Sequence, residues 1–476
     1  MCSMTLSTTA AAYQAPTHIF NTTILRQYDV RGIVGKTLEE ADAYALGRAF
    51  ATVLQRHHGK TVAVGYDGRL HSPRLAAALI KGLRESGADV TSIGLCPTPQ
   101  LYFSTYHLHV DAGVMVTGSH NPADYNGFKM MLKSKPFYGA AIQELGAIAA
   151  TGDYAVGAGS YQEQSVDDAY ITRVLEGIHF GSKKLKVAWD AGNGAMGNAM
   201  VAATKKMAGE HFLLNEKIDG TFPAHHPDPT VAENLVQLID LVKQKGCDVG
   251  VAFDGDGDRI GVVDGEGGIL WGDQLLTIWA EAILEKQPNA TIIADVKASQ
   301  VFFDEVSRMG GKPLMWQTGH SLIKAKMAET KAPLAGEMSG HIFFADRYYG
   351  FDDALYAAIR LLEILSNKNI TLAEIRKNLP QVINTPELRF ACDEDKKFGI
   401  VEKLQQLLAA ENANMSTIDG VRVNTEQGWW LLRASNTQAV LVARCESQTQ
   451  QGLEYLQEQL QKYLAKVGVE SMQITH

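Results

Sequence analysis

The sequence predicts an α/β protein of three similar domains, followed by a smaller α+β domain at the C-terminal end. Three observations carry that expectation. An apolar strand ending in Asp recurs at 62–67, 187–190 and 292–295, and each copy runs on towards a helix-like stretch. The three aspartates, Asp67, Asp190 and Asp295, stand about 105 to 125 residues apart, the length of an ordinary domain. After Leu379 and Pro380 the alternation changes to closely spaced strands at 420–423, 429–433 and 439–445, closed by a helix over 448–467.

Residues 1–19 read as a flexible tail: the start is rich in Ser, Thr and Ala but lacks the basic head and apolar core of a signal peptide. The first domain, 20–164, has two helix starts. Thr37 with Glu40 forms a capping box, and Ser72-Pro73 an N-cap and N1 pair. The Gly-, Ala- and Ser-rich run 149–165 reads as a linker. The second domain, 165–267, contains the strands 187–190 and 249–253. The third, 268–380, contains 292–295 and a second capping box, Thr371 with Glu374. The fourth, 381–476, holds the clustered strands.

At 476 residues the chain is long for one core, which suits three or four domains. A composition of 46% hydrophobic and 20% charged residues is that of a soluble globular protein, and a net charge of −9 disfavours a nucleic-acid-binding surface. No apolar run approaches the length of a membrane span. Five scattered cysteines with no C-x-x-C pair fit a reducing compartment, so a cytoplasmic site is expected.

Chemistry concentrates in a few loops. After the apolar run 249–253 comes Asp254-Gly-Asp256-Gly-Asp258-Arg259. Three carboxylates at alternate positions, on a backbone that glycine lets curl, can converge on one hard cation. Oxygen-only ligands favour Mg²⁺ or Mn²⁺ over Zn²⁺. An EF-hand would need Gly at the sixth position and Glu at the twelfth, where Arg259 and Gly265 stand. The remaining alternative is a solvated acidic turn.

The strand 112–116 delivers Ser119 to a turn of Gly118, Asn121 and Pro122, with His120 beside it and Lys129 downstream. Ser119 is a candidate nucleophile, although not of the hydrolase-elbow type, because Thr117 and Asn121 occupy the elbow's glycine positions. The alternative is a serine that caps the turn. Gly336-Glu337-Met338-Ser339-Gly340-His341 pairs Glu337 with Ser339, as vicinal sugar hydroxyls would require. Arg433-Ala434-Ser435-Asn436-Thr437 offers a guanidinium, hydroxyls and an amide to a phosphate. Gly192-x-Gly194-x-x-Gly197 also fits the short dinucleotide pattern. Asp190, however, stands where a strand should run straight into the first glycine, so a tight turn into a helix is the competing reading.

In their order and spacing these segments resemble the α-D-phosphohexomutase superfamily, and within it the bacterial phosphomannomutase/phosphoglucomutase group. Tyr28-Asp-Val-Arg31-Gly, Gly220-Thr-Phe-Pro with His225-His-Pro-Asp-Pro, and Thr318-Gly-His320-Ser extend the resemblance from about Phe20 to the C-terminus. It implies three related α/β domains and a fourth resembling the TATA-box-binding-protein fold, around a central cleft. It implies reversible movement of phosphate between the 1- and 6-positions of glucose or mannose, through a phosphoserine and a hexose 1,6-bisphosphate.

By the same resemblance Ser119 is the phosphorylated residue, and Asp254, Asp256, Asp258 and the serine phosphate hold Mg²⁺. Arg31, His120 and Lys129 surround the transfer, with Arg259 in support. Glu337, Ser339 and His341 face the sugar, and Arg433, Ser435, Asn436 and Thr437 grip the phosphate not being transferred. Tyr28, Lys297 and His320 line the cleft. Because water would hydrolyse the phosphoserine and the bisphosphate, a fourth domain that closes over the cleft, latched by the Arg433 loop, is expected. Met338 stands where the glucosamine mutases carry Gln, which favours glucose and mannose phosphates. The expected ligands are hexose phosphates, with no nucleic acid or membrane partner, acting on a monomer or weak oligomer.

Overall fold

The computed structural model describes residues 16–436 and 438–469. Four sheets carry the architecture, and the first three share one core arrangement. In the first, Thr61–Tyr66 lies between parallel Asp89–Leu95 and Ala112–Val116, and Tyr125–Leu132 returns antiparallel beside Ala112–Val116. In the second, Lys186–Asp190 lies between Glu210–Leu214 and Val249–Phe253, with Ile260–Asp264 as the antiparallel return. In the third, Thr291–Asp295 lies between Lys312–Trp316 and Leu334–Gly336, with Ile342–Phe344 returning. The recurring aspartates thus end the central strand of each unit.

The apolar strands follow from burial on both faces: all five residues of Val249–Phe253 and of Ala112–Val116 are buried, as central parallel strands require. The loop that leaves the third strand and begins the antiparallel return is the same loop in every unit. In order these loops contain Ser119, the Asp254–Asp258 cluster and Glu337. Three chemically different loops therefore occupy one topological position, at the carboxyl ends of the strands, where open α/β sheets present ligand sites.

The fourth sheet is an antiparallel meander of Val421–Thr425, Gly428–Ala434 and Val440–Ser447, to which Leu388–Ala391 adds. Its two faces alternate along the strand. Trp430 and Leu432 pack with Leu404, Leu408, Leu456 and Leu460 from the helices Lys397–Ala410 and Gln450–Lys466. Trp429 and Leu431 face the other way, onto Val296 of the third unit. Buried Arg422 fastens this contact. It donates to the carbonyls of Val296 and Ala298 at 2.9 and 2.8 Å and lies 3.7 Å from the centre of the Trp429 ring.

Several local expectations change. The helix Glu40–Arg56 starts from Glu39, whose N–H donates to Asp42, whereas the Thr37 hydroxyl is taken by the Ile33 N–H at 2.8 Å. Ser72 opens the helix Ser72–Glu85 but its hydroxyl bonds Asp67 and Asn126, a tertiary role rather than a cap. The run read as a linker contains the end of the helix Ala140–Thr151 and the strand Tyr161–Glu163, which extends the first sheet beside Asp89–Leu95. Backbone pairing thus orders a stretch whose composition suggested a loop. The Thr371–Glu374 box forms as read, on the helix Leu372–Asn378. Residues 1–15 of the expected tail lie outside the described residues, and His18 is already fastened to Asp42 at 2.7 Å. Among the described residues the cysteines are free, and no helix is long and apolar enough to cross a membrane.

Candidate active site

Ser119 is buried and sits at φ +50°, in the left-handed region that side-chain-bearing residues seldom adopt. That backbone turns its Oγ to 3.0 Å from Asp254 Oδ2 and 3.2 Å from His120 Nδ1. Burial, with Arg259 and Arg31 nearby, pushes the His120 pKa well below its usual value, so the imidazole is neutral at neutral pH. Arg31 reaches the same loop through the Gly118 carbonyl at 3.2 Å and pairs with Asp29.

The acidic loop meets Ser119 from the second unit, and all three of its carboxylates are fully buried. Asp254 Oδ1 accepts the N–H groups of Asp258 and Arg259 at 3.1 Å each, which folds the loop on itself. Asp256 accepts from Thr98, and the Thr117 hydroxyl oxygen, whose proton goes to Asp67 at 2.8 Å, lies 3.1 Å from it. Lys129 Nζ bridges Asp256, at 2.7 Å, and Asp258. Burial opposes charge on Lys129, but these carboxylates outweigh it and raise its pKa, so it stays an ammonium. Burial and the neighbouring carboxylates push the Asp254 carboxyl well above the usual range, which disfavours its charged form. One oxygen each of Asp256 and Asp258 is buried without a hydrogen-bond partner, and the three side chains bring ligand oxygens within 4.8 Å of one another. Three converging carboxylates that also carry orphaned oxygens fit a divalent cation, and their chemistry fits a hard one.

Gly255 makes the meeting of these loops possible. A Cβ there would lie 2.3 Å from the Ser119 carbonyl oxygen, so only glycine allows the approach. The segment with the dinucleotide-like pattern supports the acidic loop from behind: Ala195 N–H donates to the Gly255 carbonyl at 2.9 Å, and Asp190 accepts the Gly192 N–H at 2.9 Å. Its glycines form a tight turn into the helix Gly197–Thr204, which is the competing reading.

The Glu337 loop joins the acidic loop through backbone, Ile260 N–H to Gly340 carbonyl at 3.0 Å, and through Arg259 Nε to His341 Nε2 at 3.0 Å. Arg259 thus takes His341 Nε2, and the other ring nitrogen, Nδ1, faces Asp352 at 3.0 Å and Asp258 at 3.5 Å. Asp352 is held by Lys324 at 2.9 Å, and His320 stacks on His341 with ring centres 5.6 Å apart. Glu337 accepts from Ser339 at 3.1 Å and from the Gly319 N–H at 3.2 Å. Met338 turns its sulfur to Arg444 of the fourth domain, while its N–H bonds Asp295 at 3.1 Å.

Across the cleft, Arg433 pairs with Asp419 at 2.9 Å, and Asp419 also accepts the Thr318 N–H at 3.0 Å. Tyr28 links three units: its hydroxyl donates to the Thr318 carbonyl at 2.7 Å and accepts from Asn436. The Gln438 N–H donates to Ser435 Oγ at 3.2 Å. Thr437 lies outside the described residues. Lys297 pairs with Glu387 at 3.2 Å; burial opposes ionisation of Glu387, but Lys297 and Arg389 hold its carboxyl at about 2.

Residues 22–155, 168–268 and 271–383 match the descriptions of alpha/beta/alpha domains I, II and III of phosphoglucomutase/phosphomannomutase, and 387–462 match its C-terminal domain. The chain belongs to the phosphoglucomutase/phosphomannomutase family. It is 44% identical to a phosphomannomutase/phosphoglucomutase of Pseudomonas syringae pv. tomato, over 94% of this chain and 96% of that protein. It is 43% identical to a phosphoglucomutase of Neisseria gonorrhoeae, over 91% and 95%. A crystal structure of a phosphoglucomutase/phosphomannomutase family protein from Burkholderia thailandensis superposes with a TM-score of 0.90 at 41% identity, covering 96% of this chain and all of that one.

Within this phosphoglucomutase/phosphomannomutase fold, buried Ser119, Lys129, Arg31, Asp254, Asp256 and Asp258 form one hub with half-buried His120 and Arg259, and Glu337, Ser339, His341 and His320 adjoin it through Arg259. Tyr28, Arg433 and Asn436 close the far side, and Lys297 stands at the third-to-fourth domain contact. Sequence reasoning missed Arg69, Thr98, Lys324, Asp352 and Asp419. Arg69 had a signal, because it ends the first Asp-bearing repeat; Asp352 and Asp419 had none, since only tertiary contact brings them to the site.

Proposed function

We propose that the protein interconverts the 1- and 6-phosphates of glucose and mannose. Phosphorylated Ser119 gives its phosphoryl group to the free hydroxyl of a bound monophosphate: the Oγ–P bond breaks as the sugar O–P bond forms, leaving a hexose 1,6-bisphosphate. The bisphosphate then turns round and returns its other phosphate to Ser119. The observation that carries this reading is the meeting of the Ser119 oxygen with a buried acidic cluster, 3.0 Å from Asp254, directly beside a loop presenting Glu337 and Ser339.

His120, neutral and 3.2 Å from Ser119 Oγ, is placed to take up and return the proton that moves with each transfer. Lys129 and Arg31 supply fixed positive charge. Asp254, Asp256 and Asp258 would hold Mg²⁺, which when bound neutralises charge on the transferring group. Glu337 and Ser339 hold sugar hydroxyls without reading the C2 configuration, which suits dual use of glucose and mannose. Arg433, Ser435, Asn436 and Thr437 hold the distal phosphate, so the sugar is fixed at both ends. The reading places the work in the cytoplasm, on a monomer or weak oligomer.

Intact-mass analysis of wild-type and Ser119→Ala protein, with rates on mannose, glucose and glucosamine 1-phosphates, tests it. Wild type should gain one phosphate from glucose 1,6-bisphosphate, the variant none, and the variant should lose activity by about 10⁴-fold or more. Full activity in the variant would sink the mechanism. Inorganic phosphate as the main product would mean a phosphatase, and glucosamine phosphate as the fastest substrate a phosphoglucosamine mutase.

A further inference from the structure

We propose that Arg69 is a positioning residue for phosphoryl transfer: it clamps the Ser119 loop in the left-handed conformation that aims the serine, and residues 218–222 of the second domain form its roof. The proposal rests on the reading of Ser119 as the phosphorylated residue. Arg69 is 1% exposed, and its nearest carboxylate is Asp67 at 3.3 Å. Its guanidinium donors go to the carbonyls of Ser119 at 2.7 Å, Asn121 at 2.6 Å, Tyr125 at 3.1 Å and Pro122. One turn of backbone is thus wrapped around one side chain. A planar fork of five donors can meet several carbonyls at once, which a lysine ammonium cannot do in the same geometry.

Asp67 supplies the opposite polarity to the same loop, accepting the Gly118 N–H at 3.0 Å and the Thr117 hydroxyl at 2.8 Å. Gly118 is needed for this grip, because a Cβ there would lie 2.4 Å from the guanidinium. The Ser119 carbonyl is then fixed from both sides, by Arg69 on one and by the close approach of Gly255 on the other. If the carbonyl swings, the peptide rotates and Oγ leaves its place beside Asp254.

The roof comes from the Gly220-Thr-Phe-Pro segment, which the transfer chemistry leaves without a task. A Cβ on Gly220 would lie 2.5 Å from the Gly68 carbonyl oxygen and 2.6 Å from Arg69 Cα, and the Phe222 ring centre is 5.1 Å from the guanidinium carbon. The domain that carries the acidic loop therefore also holds down the clamp on the serine.

The test uses full-length, Mg²⁺-supplied Arg69→Lys and Phe222→Leu proteins. Single-turnover transfer from glucose 1,6-bisphosphate to dephosphorylated protein should slow by about 10²-fold in Arg69→Lys, with KM for glucose 1-phosphate within about threefold, as a misplacement near 1 Å would cause. Amide exchange over 117–125 should quicken. Phe222→Leu should shift both readouts in the same direction by about fivefold or less, and it carries the test if Arg69→Lys does not fold. A lowered melting temperature with wild-type transfer rate per folded molecule and unchanged loop exchange would overturn the proposal. The exchange measurement needs no catalysis, so it judges the clamp even if wild-type Ser119 takes no phosphate. That second outcome would overturn the proposed function instead.

Discussion

Ser119 holds a backbone conformation that costs a non-glycine residue on the order of 1–3 kcal/mol, which the surrounding contacts must offset. Its counterpart across the loop contact is Gly255, whose missing side chain lets the two backbones touch. Gly255→Ala should push the loops apart, lowering kcat by about 10²-fold while leaving KM within a few-fold; steady-state kinetics on glucose 1-phosphate would show it. His225 gives a second prediction. Burial alone would lower its pKa, but Asp190 at 2.9 Å outweighs that and raises it. The folded state thus holds the proton more tightly, and the stabilisation is complete below the unfolded value of about 6.5 and lost as pH rises through the folded value. The melting temperature of wild type should therefore exceed that of His225→Gln by more at about pH 6 than at about pH 9, as thermal scans at both would reveal. The His225-His-Pro-Asp-Pro segment was visible in the sequence, whereas its anchoring on Asp190 was not.

At the scale of elements, one turn recurs three times and is given three tasks. The strand ends and their aspartates were legible because period and burial write themselves into apolar runs closed by Asp. The use of those aspartates was not: Asp67 and Asp295 each accept an N–H from their own unit's functional loop, Gly118 and Met338, while Asp190 holds Gly192 and His225 instead. The acidic loop gathers three buried carboxylates, two of them bridged by a single lysine, and leaves two buried oxygens unpaired. Mg²⁺ should therefore raise the melting temperature of chelator-treated protein in a concentration-dependent way, as any ligand selective for the folded state does. Chelation should abolish phosphoryl transfer while hexose phosphate still binds at Glu337 and Ser339, and calorimetry alongside activity assays would separate the two. Binding lost together with transfer would count against that division of labour.

In the whole molecule, one apolar core runs through the first three units, Trp429 and Leu431 seat the fourth on Val296, and polar ties add to this packing. Tyr28 bonds the Thr318 carbonyl and Asn436, so its hydroxyl joins the first, third and fourth units. Tyr28→Phe removes those bonds and little else, and should raise KM about tenfold, near 1.4 kcal/mol, with kcat much less affected. If the fourth domain moves over bound substrate, small-angle scattering should record a smaller radius of gyration with glucose 1-phosphate than without it; identical curves would refute the closure.

By itself the sequence determined the class of fold, the threefold repeat, the separate fourth domain and the loops bearing Ser119, Asp254 to Asp258, Glu337 and Arg433. Periodicity and spacing are local properties, and residue types suited to one chemistry cluster within a few positions. Only the tertiary structure decided which loops meet, that Lys129 would bridge the acidic cluster, and that Asp352, Asp419 and Arg69 would serve the site. Lys129 and Asp419 gain their roles from Asp256 and Thr318 of other domains. Arg69 and Asp352 gain theirs from loops of their own unit that only folding brings against them.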